Sequence, residues 1–319
     1  MPNLDLNSKS LPNNKSILFI ILSFVIVIFA IITWPLNNKI NQSIIKTALG
    51  QATLTQIPAK NENANNPAVY AKAYYLIDVD SFYPMLAKNE EEKLAIASTT
   101  KIATAITVLE NYEDRLQDVV TITPKMININ GSDIQLRAGE KITVENLLHG
   151  LLIMSGNDTA YSLAEYFGGK EKFVQEMNEK VVQIGLKNTQ YKCPAGLDDD
   201  GYSTAKDLAT LGAYAMQNEK FASIVKIPEE VITSTDGQIQ HELKASNRLI
   251  KPEEEFYYPY AYGVKTGFTY AAGHALVSIA QKDNHRLLGV ILNTNESSIT
   301  ASAKESRKLL EWGFNNWQW

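Results

Sequence analysis

The chain has 319 residues, 45% apolar and 20% charged, a globular composition with room for one large domain or two small ones. A net charge of −5 with no basic excess argues against nucleic acid as a partner. Cys193 is the sole cysteine, which excludes an intramolecular disulfide, and the four histidines (His149, His241, His274, His285) show no metal-ligand spacing.

Residues 1–15 are polar and read as a cytoplasmic stub. From Ile17 to Trp34 the chain carries no charge and is dominated by Ile, Phe, Val and Leu. A helix needs roughly 17–25 such residues to cross a bilayer, so residues 16–35 are expected to form a transmembrane anchor. Trp34 and Pro35 mark its interface and stop. A cleavable signal peptide is the competing reading. Its apolar region is shorter, about 7–15 residues, and no small-x-small cleavage site follows here. Lys9 and Lys15 before the run balance Lys39 and Lys46 after it, so charge alone leaves the orientation open. Residues 36–69 read as linker, with Pro58 and a polar stretch from Asn61 to Pro67.

Residues 70–319 form the predicted globular domain. Tyr74–Val79 reads as a strand, with a second near Phe82–Ala87. Ser98 precedes a helical stretch with Ile102, Ile106 and Leu109 on one face. Val144, Leu147, Leu148, Leu151 and Leu152 recur at the spacing of a well-buried helix. Further helices are predicted near 158–167, 170–185 and 204–217, the last opened by Thr204 and Asp207 in a capping-box-like pattern. Apolar segments 275–280 and 286–292 flank the turn Lys282-Asp283-Asn284, a hairpin signal, and a final helix covers about 300–314. The reading is mixed α and β, an α+β arrangement in which helices cover a sheet assembled from distant segments.

Three short motifs stand out. Ser98-Thr99-Thr100-Lys101 is S-x-x-K, a spacing that lets an amine reach a hydroxyl on one helix face. A lysine takes that proton when burial or nearby positive charge lowers its pKa. The pattern alone says little, because Ser43–Lys46, Ser203–Lys206 and Ser223–Lys226 match it too. A serine N-cap beside a solvated lysine explains any one of them equally well. Ser155-Gly156-Asn157 is the sole S-x-N and is expected in a loop, where hydroxyl and amide point into one cleft. Lys265-Thr266-Gly267 is the sole K-T-G, a cation and hydroxyl at a strand edge with a glycine that leaves room for a bound backbone. S-x-x-K, then S-x-N, then K-T-G in this order is the motif set of penicillin-recognising serine enzymes. Ser203 and Ser223 follow the S-x-N and Ser43 adjoins the apolar run, which leaves Ser98.

The segments Ala97–Ala105, Gly150–Asp158 and Gly263–Thr269 resemble the D-alanyl-D-alanine carboxypeptidases, the low-molecular-mass penicillin-binding proteins. Gly131-Ser132, Ala195-Gly196-Leu197, Tyr202–Ala205 and Asn247-Arg248-Leu249 add to the likeness, which runs from about residue 70 to the C-terminus. The resemblance implies a β-lactamase/transpeptidase-like fold, with an antiparallel sheet, a helical lobe and the active site between them. It implies Ser98 as nucleophile on the penultimate D-alanine carbonyl of a peptidoglycan stem peptide and Lys101 as general base. Ser155 and Lys265 would relay the proton to the leaving D-alanine, and Asn157 would bind the peptide backbone. The N–H groups of Ser98 and Phe268 would form the oxyanion hole, where one donor is worth roughly 2.7–4 kcal/mol in a comparable enzyme. Thr266 and Gly267 line the substrate strand, and Thr266 with Arg248 would read the terminal carboxylate. An arginine paired over the surface with Glu242 is the alternative for Arg248. No metal or organic cofactor is implied, and β-lactams are expected as covalent inhibitors.

Many members of that family carry a second, β-rich domain and a C-terminal amphipathic membrane helix. This sequence ends soon after K-T-G, so that domain is expected to be absent and the N-terminal anchor to supply the tether, with the domain on the exterior side of the membrane. Cys193 reads as a buried, inert thiol, and the aromatic tail (Trp312, Phe314, Trp317, Trp319) as packing of the last helix. A D,D-endopeptidase, a class A β-lactamase and a non-catalytic peptidoglycan- or β-lactam-sensing module are the competing functions. The β-lactamase reading lacks an E-x-x-L-N segment between Ser155 and Lys265.

Overall fold

The computed structural model describes residues 56–294 and 298–319. The expected anchor at 16–35, the stub before it and the first part of the linker lie outside the described residues. Among the described residues, no helix is long and apolar enough to cross a membrane.

The described chain opens with β1 (Ala59–Lys60), β2 (Ala71–Asp78) and β3 (Pro84–Lys88). The second of the predicted strands begins at Pro84 rather than Phe82, because Phe82 takes φ 55° in the connecting turn. A 3-10 turn over Ala97–Thr100 leads into α1 (Lys101–Asn111). A helical lobe follows, with β4 (Val119–Thr121), α2 (Pro124–Ile127), β5 (Lys141–Thr143) and α3 (Val144–His149). A π-helical turn over Gly150–Met154 continues into α4 (Asn157–Tyr166), α5 (Lys170–Ile184), α6 (Ala205–Ala215) and α7 (Glu219–Val225). The hairpin β6 (Glu229–Thr233) and β7 (Gln240–Lys244) closes the lobe. The chain then returns as β8 (Ala261–Thr269), β9 (Gly273–Lys282) and β10 (His285–Thr294), and ends with α8 (Ala301–Asn316) and β11 (Trp317–Gln318).

The main sheet is antiparallel with strand order β3-β2-β10-β9-β8, so segments from both ends of the domain meet in it. Side chains alternate along β9 and β10 between two cores. Val277 and Ile279 with Leu288, Val290 and Leu292 face the helical lobe, while Leu276 and Ala280 with Leu287 and Ile291 pack under α8. Burial on both faces explains why these strands read as nearly continuous apolar runs.

Helix α1 lies inside the lobe against α5, α6 and α7, and every residue from Lys101 to Leu109 is buried. Apolar side chains recur on all its faces, with Thr104 and Thr107 among them, as suits a helix in an interior. Its N-terminal turn packs beside the edge strand β8, which places the serine of S-x-x-K at the seam between lobe and sheet.

The linker expected over 36–69 is corrected from Ala59 onward. Ala59 and Lys60 pair with Gln318 and Trp317, and the Trp312 indole N–H donates to the Asn65 carbonyl at 2.7 Å. The aromatic tail supplies these partners, so packing overrides the polar composition of that stretch.

Candidate active site

Ser98 stands in the 3-10 turn that opens α1, with Ala97 before it held at φ 47°. A non-glycine residue in the left-handed region costs on the order of 1–2 kcal/mol, retained where the surroundings over-determine it. Gly196 is one such constraint: a Cβ there would lie 1.9 Å from the Ala97 carbonyl oxygen. The turn aims the Lys101 amine at the nucleophile, with Nζ 2.8 Å from Ser98 Oγ. The same Nζ donates to Asn157 Oδ1 at 2.8 Å and to the Ala195 carbonyl at 2.9 Å. Lys101 is fully buried, and loss of hydration lowers its pKa to about 7, against the opposing pull of Cys193 and Asp158. At neutral pH a substantial fraction is therefore the free amine, able to accept the Ser98 proton.

The S-x-N sits differently from the expected loop. Ser155 ends the π-helical turn at φ 69°, and Asn157 is the first residue of α4. Asn157 is held from three directions. Its N–H donates to the Ser132 carbonyl at 2.7 Å, its Nδ2 to the Asn130 carbonyl at 2.8 Å, and its Oδ1 accepts from Lys101. Gly131 passes so close that a Cβ would sit 2.7 Å from Asn157 Nδ2. The neighbouring Asp158, buried, accepts from Ile134 N–H at 3.1 Å and Leu136 N–H at 3.2 Å, pinning that loop. Burial raises the Asp158 pKa, and these backbone donors offset the rise.

Strand β8 forms the opposite wall. A Cβ on Gly267 would meet the Ile96 carbonyl oxygen at 2.9 Å and the Ser98 nitrogen at 3.1 Å, so glycine alone lets the strand approach the nucleophile turn. Lys265 is buried behind the cleft with Nζ 3.1 Å from the Thr266 carbonyl. Burial first, then the Lys101 charge, hold its pKa well below the usual lysine range. The Thr266 hydroxyl lies 2.6 Å from Ser246 Oγ. Phe268 is half exposed and stacks on His274 at 4.4 Å between ring centroids. Arg248 pairs with Glu254 at 3.2 Å rather than with Glu242.

These walls enclose a cleft of about 550 Å³. Ser98, Ser155, Asn157, Arg248, Thr266, Gly267 and Phe268 line it, and Lys101 and Lys265 lie just beneath. The structure thus brings together all nine side chains or backbone positions singled out from sequence. It adds Ser246, which carried no motif signal, the Ala195 carbonyl, whose signal was the Ala195-Gly196-Leu197 likeness without a role, and Asp158, whose signal was its place directly after the S-x-N. Among the described residues, no Asp or Glu lines the cleft. No group of three or more His, Cys, Asp or Glu among them is arranged to hold a metal. The arrangement suits nucleophilic attack by a hydroxyl on a carbonyl, with an amine as proton acceptor.

A family model described as D-alanyl-D-alanine carboxypeptidase matches residues 60–296. The chain is 34% identical over 254 residues to the D-alanyl-D-alanine carboxypeptidase DacF of Bacillus subtilis, covering 78% of this chain and 63% of that one. It is 33% identical over 271 residues to DacC of Escherichia coli, covering 80% and 64%. The chain therefore spans slightly under two thirds of the length of these curated relatives. Among solved structures, the Streptomyces K15 DD-transpeptidase matches with TM-score 0.73 at 29% identity, over 79% of this chain and 100% of that one. A D-alanyl-D-alanine carboxypeptidase from Mycobacterium tuberculosis gives TM-score 0.73 at 28% identity, over 81% and 96%.

Proposed function

The chain belongs to the D-alanyl-D-alanine carboxypeptidase family of serine peptidases, and from that premise we propose that it removes the terminal D-alanine from peptidoglycan stem pentapeptides through an acyl-enzyme on Ser98. Neutral Lys101 takes the Ser98 proton as Oγ attacks the penultimate carbonyl. The backbone N–H groups of Ser98 and Phe268 hold the oxyanion. The C–N bond then breaks, and D-alanine leaves with a proton delivered through Ser155 and Lys265. Asn157 and β8 grip the stem peptide between them, and Thr266 meets its terminal carboxylate. Water finally hydrolyses the ester and regenerates Ser98.

The observation that carries this reading is the fully buried Lys101 amine 2.8 Å from Ser98 Oγ, with a pKa near neutrality. Fluorescent penicillin is expected to label Ser98, and D-alanine to be released from a pentapeptide. With no carboxylate among the described residues of the cleft wall to activate water as a class A β-lactamase does, the penicilloyl ester is expected to persist. Equal labelling of a Ser98→Ala variant, or rapid loss of the label, defeats the proposal.

A second reading replaces water by an amine acceptor. Its support is the match to the whole length of the Streptomyces K15 DD-transpeptidase. Mass spectrometry of a pentapeptide digest with added acceptor amine separates them: free tetrapeptide supports hydrolysis, and a peptide–amine product supports transfer. A digest of cross-linked dimer tests endopeptidase activity in the same way.

The uncharged run Ile17–Trp34 supports a membrane anchor with the domain on the exterior side, where the proposed substrate is. A reporter fused after Trp319 that is active only in the cytoplasm overturns that topology.

A further inference from the structure

Ser246 lines the cleft beside Thr266, and the two hydroxyl oxygens lie 2.6 Å apart. The segment around Ser246 is fixed on three sides. The Ala245 N–H donates to the Pro228 carbonyl at 2.7 Å and the Ser246 N–H to the Ile153 carbonyl at 3.0 Å. Asn247 Nδ2 donates to the Gly263 carbonyl at 3.0 Å. Ser246 thus joins the π-helical turn that delivers Ser155 to the strand that delivers Thr266. Among the described residues, neither hydroxyl has another hydrogen-bond partner.

The pair holds two O–H protons. One is used between the two oxygens, whichever donates, and the other remains to donate elsewhere. Arg248, the cation at this end of the cleft, has its charge offset by Glu254 at 3.2 Å and contacts the Ile299 carbonyl at 3.5 Å. A carboxylate arriving here meets a hydroxyl already oriented and an arginine already paired.

We infer that Ser246 is a positioning residue for recognition of the substrate's terminal carboxylate: its hydroxyl holds that of Thr266 so that one proton of the pair points at the carboxylate. The inference rests on the carboxypeptidase reading, since it takes the ligand to be a chain end. Ser246 touches Thr266, and Thr266 touches the substrate.

The test is steady-state hydrolysis of a D-alanyl-D-alanine-terminated peptide by Ser246→Ala, Ser246→Thr, Thr266→Val and the Ser246→Ala/Thr266→Val double variant. Loss of the bond that orients the Thr266 hydroxyl, about 1 kcal/mol, predicts a KM about fivefold to tenfold higher for Ser246→Ala, with kcat within about twofold. Ser246→Thr restores the wild-type KM because it keeps the hydroxyl, and the double variant is no worse than Thr266→Val alone. Unchanged KM in Ser246→Ala, a fall confined to kcat, or full additivity overturns the inference. If Ser246→Ala melts below the assay temperature, Ser246→Cys, close in size and a weak donor, takes its place with the same expectations. Penicillin labelling of the wild type is run alongside. A wild type that neither labels nor hydrolyses sinks the parent reading, whereas an active wild type matched by Ser246→Ala sinks this inference alone.

Discussion

Lys101 and Lys265 are both sealed from solvent beneath one cleft, yet their surroundings differ. The Lys101 amine has three partners, Ser98 Oγ, Asn157 Oδ1 and the Ala195 carbonyl. The Lys265 amine has the Thr266 carbonyl at 3.1 Å. Burial drives both pKa values down by stripping the ammonium of hydration. Asp158 and Cys193 stop the fall of Lys101 at about 7. Lys265 has no such acid to offset burial, and the Lys101 charge pushes it further in the same direction. Burial alone makes a lysine neutral. The charges around it set how far it falls, Cys193 and Asp158 opposing burial at Lys101 and the Lys101 charge adding to it at Lys265.

Removing the better-connected lysine is the most severe way to test that contrast. Lys101→Ala is expected to slow acylation by fluorescent penicillin on the order of 10³–10⁴-fold, the upper part of what a general base contributes. Lys265→Ala, which spares the Ser98–Lys101 pair, is expected to cost about 10²-fold in the same stopped-flow assay. Equal losses would erase the distinction between them. Gly267→Val forces a side chain against the Ile96 carbonyl and Ser98 nitrogen, and the displaced strand should cost about 10²-fold with folding preserved by circular dichroism.

The pH profile sharpens the comparison further. Only neutral Lys101 accepts a proton, so kcat/KM should rise with pH through about 7. Asn157→Asp puts a carboxylate 2.8 Å from the amine, stabilises the ammonium and moves that limb upward by about one unit. A limb that stays put would mean another group controls the rate. The smallest effect is expected for Arg248→Ala, a rise in KM below about tenfold, because Glu254 already offsets its charge.

The motifs were legible because each residue type has a distinct chemistry and the three occur in one order. The longer helices were legible from periodicity, the short α2 and α7 were not, and β9 and β10 were legible from their apolar runs around the turn at Lys282–Asn284. Other features left no local trace. The docking of Ala59–Lys60 depends on a partner strand at the opposite end of the chain. Asn157 at a helix start could not be told from a Ser-Gly-Asn turn, since both use the same residues. Ser246 resembles any surface serine until folding sets it 2.6 Å from Thr266.

By itself, the sequence determined which groups are available: one S-x-N, one K-T-G, an uncharged run of membrane length and no paired cysteines. Four S-x-x-K matches were narrowed to Ser98 by order and by the place of Ser43 beside the apolar run, both properties of the chain. Tertiary structure decided what those groups are chemically. Lys101 titrates near 7 because folding buries it completely, against the pull of Cys193 and Asp158, and the Ala195 carbonyl and the Asn157 amide hold its amine in place. Those atoms are 56 and 94 residues from Lys101 in the chain, so desolvation and hydrogen bonding, which act through space, could not be read from sequence.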